Sequence, residues 1–198
     1  MKRFLAIMAI MLSVGTTALA QTAQQILDRT ATNLSAKGGA RANFKMSGKF
    51  GNASGSIAVK GNKFNAYTPM SIVWYDGKTQ WTYMKKSQEV NVSTPTEAQQ
   101  QAINPYKFIY IYKNGYKLTS KAVGGGWEVH LVAQNQKRSI KEMYVTVDKN
   151  YTLKKVRMRQ AGGWTTISVS SFRKASLPDS QFRFNSKEYP NAEVIDLR

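Results

Sequence analysis

The 198-residue chain contains no cysteine and a single histidine. Without cysteine it can form no disulfide and cannot carry a lipid-modified cysteine. Zinc takes three or four Cys, His or carboxylate ligands, so one histidine cannot build such a site. A serine–histidine–acid triad would have to use His130, which lies in Trp127-Glu128-Val129-His130-Leu131; Val129 and Leu131 point to the opposite face, and His130 reads as a surface or barrel-rim residue. Carboxylates are scarce, 11 acidic against 29 basic residues, and none is paired for general acid–base work. Asp148-Lys149-Asn150 lacks the rest of a calcium loop and reads as a turn. Gly77-Lys78-Thr79 resembles the end of a phosphate-binding loop, but Ile72 stands where the upstream glycine is needed and a strand-like Gln80-Trp81-Thr82-Tyr83 follows. The expectation is a protein that is not an enzyme and needs no cofactor or metal.

Long apolar runs are also missing. The longest, Phe4 to Leu12, is about half of the roughly 20 residues a bilayer-spanning helix needs. It follows Lys2-Arg3 and precedes Ala18-Leu19-Ala20, a small-x-small cleavage site before Gln21. Residues 1–20 therefore read as a cleavable signal peptide and residues 21–198 as a single soluble domain that works beyond the cytoplasm. Cleavage removes two of the +18 formal charges and leaves +16. Such a surface seeks acidic partners. Lys45, Lys49, Lys154, Arg157 and Arg159 alternate with apolar residues, so they should face water and serve docking. Basic and aromatic residues interleave at Tyr106-Lys107-Phe108 and Tyr112-Lys113, a pattern compatible with single-stranded nucleic acid, but export argues against nucleic acid as a partner.

The chain is rich in short alternating segments. Thr22 to Ala36 predicts an amphipathic helix with Ile26, Leu27, Thr30 and Leu34 on one face, ended by Gly38-Gly39. From Arg41 the period becomes two. Strands are expected around Phe44–Phe50, Ile57–Val59, Phe64–Tyr67, Ile72–Tyr75, Trp81–Met84 and Glu89–Val92, with tight turns at Gly61-Asn62 and Asp76-Gly77. Thr94-Pro95-Thr96-Glu97 predicts a second helix, with Thr94 as N-cap, and the helical pattern leads to Ile103. Tyr106 to Tyr112 fits a helical stripe or a strand face, with helix preferred. Strands resume at Tyr116–Val123, Trp127–Gln134, Ile140–Val147, Leu153–Arg159 and Trp164–Phe172, with a last short one at Glu193–Leu197. About ten antiparallel strands and two helical elements result. A sheet of that size curls, and the helices can plug its concave side.

Ten tyrosines, eight phenylalanines, four tryptophans and eight methionines suit an ordinary β core, but also an enclosed space that side chains do not fill. The hairpin Asp76-Gly77-Lys78-Thr79-Gln80-Trp81-Thr82-Tyr83 resembles the D-G-K-x-x-W-x-Y hairpin of the LolA-type periplasmic outer-membrane lipoprotein carriers. Phe44 resembles the end of the family's A-x-F segment, Val59 and Phe64 its next strand pair, and Gln88 to Val90 its strand after the hairpin. Asn104-Pro105 is similar to the start of its mid-chain helix and Phe182-Arg183-Phe184 to its C-terminal phenylalanine motif. The chain departs from the family at Gly61-Asn62, where many members have Arg-Pro, and in the family that arginine helps to close the lid.

The resemblance implies a mainly β (α+β) fold: a curved antiparallel sheet forming an open half-barrel, with helices as lid or plug over a hydrophobic cavity. It implies a monomer whose partners are acylated lipoproteins, an inner-membrane ABC transporter complex and an outer-membrane acceptor. The acyl cavity is expected to be lined by Phe44, Met46, Phe64, Ile72, Trp74, Trp81, Tyr83, Phe108 and Ile109. The choice of Ile72 and Trp74 over Val73 and Tyr75 is open, because a one-residue slip exchanges the faces. Burying an acyl chain of about 15 methylenes is worth on the order of 12 kcal/mol, about what a bilayer offers. Loading should therefore need an energised partner. The alternatives are a lipid-, glycolipid- or regulator-binding module of the same fold, and an exported hydrolase.

Overall fold

A computed structural model describes residues 21–35, 37–48, 51–96, 99 and 110–198. Thr22 opens helix α1 (Ala23–Leu34) with a capping box, its hydroxyl accepting from the Gln25 amide while the Gln25 side chain accepts from the Thr22 amide. The helix buries Ala23, Ile26, Leu27, Thr30 and Ala31. The buried Thr30 hydroxyl donates to the Ile26 carbonyl at 2.9 Å, which satisfies it within the helix. Leu34, expected on the same stripe, is only half-buried, because the helix ends there at Ser35.

Among the described residues the strand segments form twelve strands in one sheet. They are β1 (Ala40–Gly48), β2 (Ala53–Lys60), β3 (Lys63–Tyr67), β4 (Ser71–Tyr75), β5 (Gln80–Met84), β6 (Glu89–Ser93), β7 (Tyr116–Val123), β8 (Gly126–Ala133), β9 (Ile140–Asp148), β10 (Leu153–Gln160), β11 (Gly163–Lys174) and β12 (Glu193–Asp196). The order is β12-β6-β5-β4-β3-β2-β1-β11-β10-β9-β8-β7. Two meanders, β1–β6 and β7–β11, are thus joined where β1 pairs with β11. Every neighbour is antiparallel except β12, which lies parallel on β6 and covers what would otherwise be an open edge. The sheet is open and curved, as its length requires.

The chain between β6 and β7 passes from one end of this sheet to the other. Most of it, including Glu97, Asn104-Pro105 and Phe108-Ile109, lies outside the described residues. At its start Thr96 and Gln99 exchange capping bonds of 2.8 and 3.3 Å. The N-cap is therefore Thr96 and not Thr94, since the reciprocating side chain belongs to Gln99. At its end Ile111–Lys113 is a single 3-10 turn.

The two faces of the sheet are covered by different pieces. On one, α1 packs over β7 and β8, and the core beneath is built from Val129, Leu131, Met143, Val145, Val156 and Met158. On the other, the segment after β11 returns over β2 to β5 as a strap, with Leu177 and Phe182 against Ala58. Lys60 Nζ donates to the Leu177 carbonyl (2.8 Å) and to Asp179 (2.9 Å), and Lys63 Nζ pairs with the same carboxylate at 2.7 Å.

Candidate functional site

Strand register decides which side chains share a face, because directly opposed residues point the same way. Phe44 and Met46 oppose Val169 and Ile167 of β11, and Ile167 packs into the core under α1. Ala42 opposes Ile57, Ile57 opposes Ala66, Val59 opposes Phe64, and Phe64 opposes Tyr75. An apolar surface therefore runs from the α1 core across β11, β1, β2, β3 and β4. Phe64 and Tyr75 are its buried anchors, 5.5 Å apart between ring centroids, and Phe44 and Met46 are half-buried. The Tyr75 hydroxyl donates to the Gly77 carbonyl at 2.8 Å, and burial pushes its pKa up, so it stays neutral.

The nine expected cavity residues do not share one face. Phe44, Met46 and Phe64 lie on the α1 face. Ile72 and Trp74 oppose Tyr83 and Trp81, and all four point to the strap face. There Trp74 packs edge-on against Phe184 (5.6 Å) and Tyr189 (5.5 Å), and Tyr83 lies 4.8 Å from Tyr189. Phe108 and Ile109 lie outside the described residues. At β4, Val73 and Tyr75 therefore share the α1 face with Phe64, and Ile72 and Trp74 do not. The β3–β4 loop is closed by the pair Tyr67–Ile72, with the Thr68 amide donating to the Ser71 carbonyl. An even number of loop residues pairs odd positions with even ones, so Phe64 faces with Tyr75 and Ala66 with Val73. Ile57, Ala66, Val73 and Tyr75, absent from the expected set, join the α1-face surface, and Phe172 packs with them. Both parities of β4 are apolar, so nothing within the strand marked Val73 and Tyr75; the Tyr67–Ile72 closure does.

Helix α1 is tied down beside this surface. The buried Tyr112 hydroxyl donates to the Asp28 carboxylate, and burial followed by that bond drives the Tyr112 pKa far above that of an ordinary phenol. Arg29 donates to the Tyr151 hydroxyl at 2.7 Å, and the Asn33 side chain to the Asn150 carbonyl at 2.8 Å. Tyr151 stacks on Trp127 at 5.0 Å. The space between α1 and the sheet, lined by Leu27, Ile111, Leu131, Met143 and Val156, is only about 10 Å³, the room of one water at most. An acyl chain cannot lie under α1 in this conformation.

His130 sits on the opposite face. Its Nε2 lies 2.9 Å from Glu142, which also accepts from Tyr144 and pairs with Arg159, and its ring stacks on Tyr144 at 4.3 Å. Burial works to raise the Glu142 pKa, but these hydrogen bonds and positive neighbours outweigh it and hold it below the ordinary value. Among the described residues the hydrogen-bond partner of His130 is the Glu142 carboxylate, and no three His, Cys, Asp or Glu side chains gather to hold a metal.

Residues 14–162 match the family described as outer membrane lipoprotein carrier protein LolA. The chain belongs to the LolA lipoprotein carrier family. An uncharacterised conserved protein from Thermus thermophilus shares the fold at 16% identity and a TM-score of 0.60, over 89% of this chain and 99% of that one. A LolA-superfamily protein from Nitrosomonas europaea matches at 12% identity and a TM-score of 0.45, over 83% and 99% of the two chains. LprF from Mycobacterium bovis matches at 14% and 0.42, over 79% and 93%. No curated protein sequence matches the chain. Among the described residues no helix is long and apolar enough to cross a membrane.

The LolA-like hairpin has a structural role here. Asp76 Oδ1 accepts from the amides of Lys78 (3.0 Å) and Thr79 (2.9 Å), forming an Asx-type turn with Gly77 at φ +104°. A Cβ on Gly77 would stand 2.8 Å from the Asn62 side chain. The Gly61-Asn62 turn, where many LolA members have Arg-Pro, is therefore packed against this hairpin. Arg183 of the strap reaches Asp76 at 3.3 Å and fastens the C-terminal motif to the same turn.

Proposed function

We propose that this protein is a periplasmic carrier, exported with loss of residues 1–20, whose single domain takes up the acyl chains of lipoproteins and ferries them from the inner to the outer membrane. The observation that carries the reading is the unbroken apolar surface of Phe44, Met46, Ile57, Phe64, Ala66, Val73 and Phe172 in a LolA-family chain. It adjoins a helix held by a few polar ties. Lifting α1 would join its core face to this surface and make room for a chain. Of the originally expected residues, Phe44, Met46 and Phe64 are retained in this proposal, with Phe108 and Ile109 as candidates from the β6–β7 connection. No catalytic role is assigned. Loading would draw on an inner-membrane ABC transporter complex and delivery on an outer-membrane acceptor. The exposed Lys45, Lys154, Arg157 and Arg159 would guide those encounters by long-range attraction, which salt screens.

The substitution of Gly61-Asn62 for Arg-Pro favours one second reading: a lipid- or regulator-binding module of the same fold that does not use the family's lid arginine. Mass spectrometry of protein taken from the native envelope tests both. Diacylated or triacylated polypeptide on the protein supports the carrier, free phospholipid or glycolipid supports the module, and the absence of any lipid refutes both.

A further inference from the structure

The strap leaves a cleft of about 260 Å³ at its margin, on the face opposite Phe44 and Phe64, lined chiefly by Arg41, Asn43, Ser56, Ser171, Arg173 and Gln181. It exists because the β1–β11 pairing breaks there. Arg41 opposes Arg173 while Asn43 opposes Ser170, so β11 has two residues, Ser171 and Phe172, across from one of β1. Such a bulge bends a strand and re-aims its side chains. Ser171 takes a φ of +52° inside the strand, a conformation that a non-glycine residue keeps only where the surroundings impose it.

The bulge sets two arginines directly opposite one another. Like charges in that position repel. Arg41 donates to the Gln181 side chain at 2.8 Å, a neutral acceptor. Among the described residues no carboxylate pairs with Arg41 or Arg173. Two guanidinium forks face one polar cleft together with the amide of Asn43 and the hydroxyls of Ser56 and Ser171. A guanidinium fork matches an oxyanion with two parallel hydrogen bonds, and hydroxyl and amide donors complete the shell. Ala42, Ile57 and Ala58 also touch the cleft, but its walls are mainly polar and suit an acyl chain poorly. A phosphate group gains charge, geometry and donors at once.

We propose that this cleft binds a phosphate ester through Arg41 and Arg173. The sheet lies between the cleft and the apolar surface, so the ligand is not the headgroup of a chain bound there. The proposal is independent of the carrier reading. The phosphate could belong to a small soluble ester or to a phospholipid headgroup displayed by a membrane, and two arms separate these sources.

The purified mature protein is titrated with sn-glycerol 3-phosphate by calorimetry, and co-sedimented with vesicles of phosphatidylglycerol and phosphatidylcholine in a 3:7 ratio. Arg173→Gln and Arg173→Lys are compared with Lys155→Gln, which removes one exposed charge elsewhere on the same face. Saturable glycerol phosphate binding that falls at least tenfold in both Arg173 variants and is kept in Lys155→Gln supports a site for soluble esters. Vesicle binding with that same pattern, and no glycerol phosphate binding, supports headgroup recognition. No binding in either arm, an Arg173→Lys variant that binds like wild type, or an equal loss in Lys155→Gln overturns the proposal. Melting temperatures serve as the folding control: Arg173→Gln, which relieves the repulsion, should melt no lower than wild type without ligand.

Discussion

If cargo enters beside α1, the helix must undock without the sheet unfolding, and Tyr112→Phe measures how firmly it is held. The substitution keeps the buried ring and removes only the hydroxyl that donates to Asp28. Undocking α1 exposes Ile26 and Leu27, about 1.5–3 kcal/mol each. It also breaks three polar ties, at Tyr112, Tyr151 and Asn150, each worth about 0.5–1.5 kcal/mol. A hydrogen bond to a charged group sits at or above the top of that range, but Asp28 is exposed and regains water when unpaired. The loss should therefore be about 1–1.4 kcal/mol, a five- to tenfold rise in the opening constant. Native-state hydrogen exchange on α1 amides should speed up by that factor, while strand amides of β9 and β10 change less. Uptake of an acylated peptide should accelerate in parallel. If α1 protection is unchanged, or if every amide loses protection equally, α1 is not a separately opening element and the reasoning fails.

Val73→Asp, on the α1 face opposite Ala66, should abolish acyl-peptide binding, whereas Trp81→Phe on the strap face should leave it within about twofold; fluorescence titration with an acylated peptide checks both, and the reverse pattern would show the faces exchanged. Leu131→Ala, at a fully buried position between β7 and β9, should cost about 2–5 kcal/mol in urea unfolding, with the midpoint lowered and the slope unchanged. The Asp179 carboxyl is held down to about 2 by hydrogen bonds from Lys63 and Lys60. Its folded value lies below the unfolded one of about 3.9, so its hold on the strap is complete above roughly pH 4 and is lost as the pH falls towards 2. The indole resonance of Trp74, which packs on Phe184 and Tyr189, should shift through that window and show the loosened position already at neutral pH in Asp179→Asn.

Period and punctuation alone determined most of the secondary structure. Alternation and turn signals mark the strand segments, counted as about ten where the described sheet has twelve, and the helical period after Thr22 marks α1, because these signals depend on neighbours in the chain. The hairpin Asp76–Tyr83 pointed to the family through residues whose task is local: Asp76 caps its own turn and Gly77 supplies the positive φ. Which strand residues share the α1 face was decided only by the assembled sheet. At β4 both Ile72/Trp74 and Val73/Tyr75 are apolar, so hydrophobicity cannot choose between them; loop closure at Tyr67–Ile72 does. The strap could be placed no better from sequence, since Phe182 and Tyr189 meet Ala58 and Trp74 across more than a hundred residues. The bulge that sets Arg41 against Arg173 is likewise invisible before β1 and β11 pair. Local rules fix what each segment is, whereas register and long-range closure fix which side chains meet.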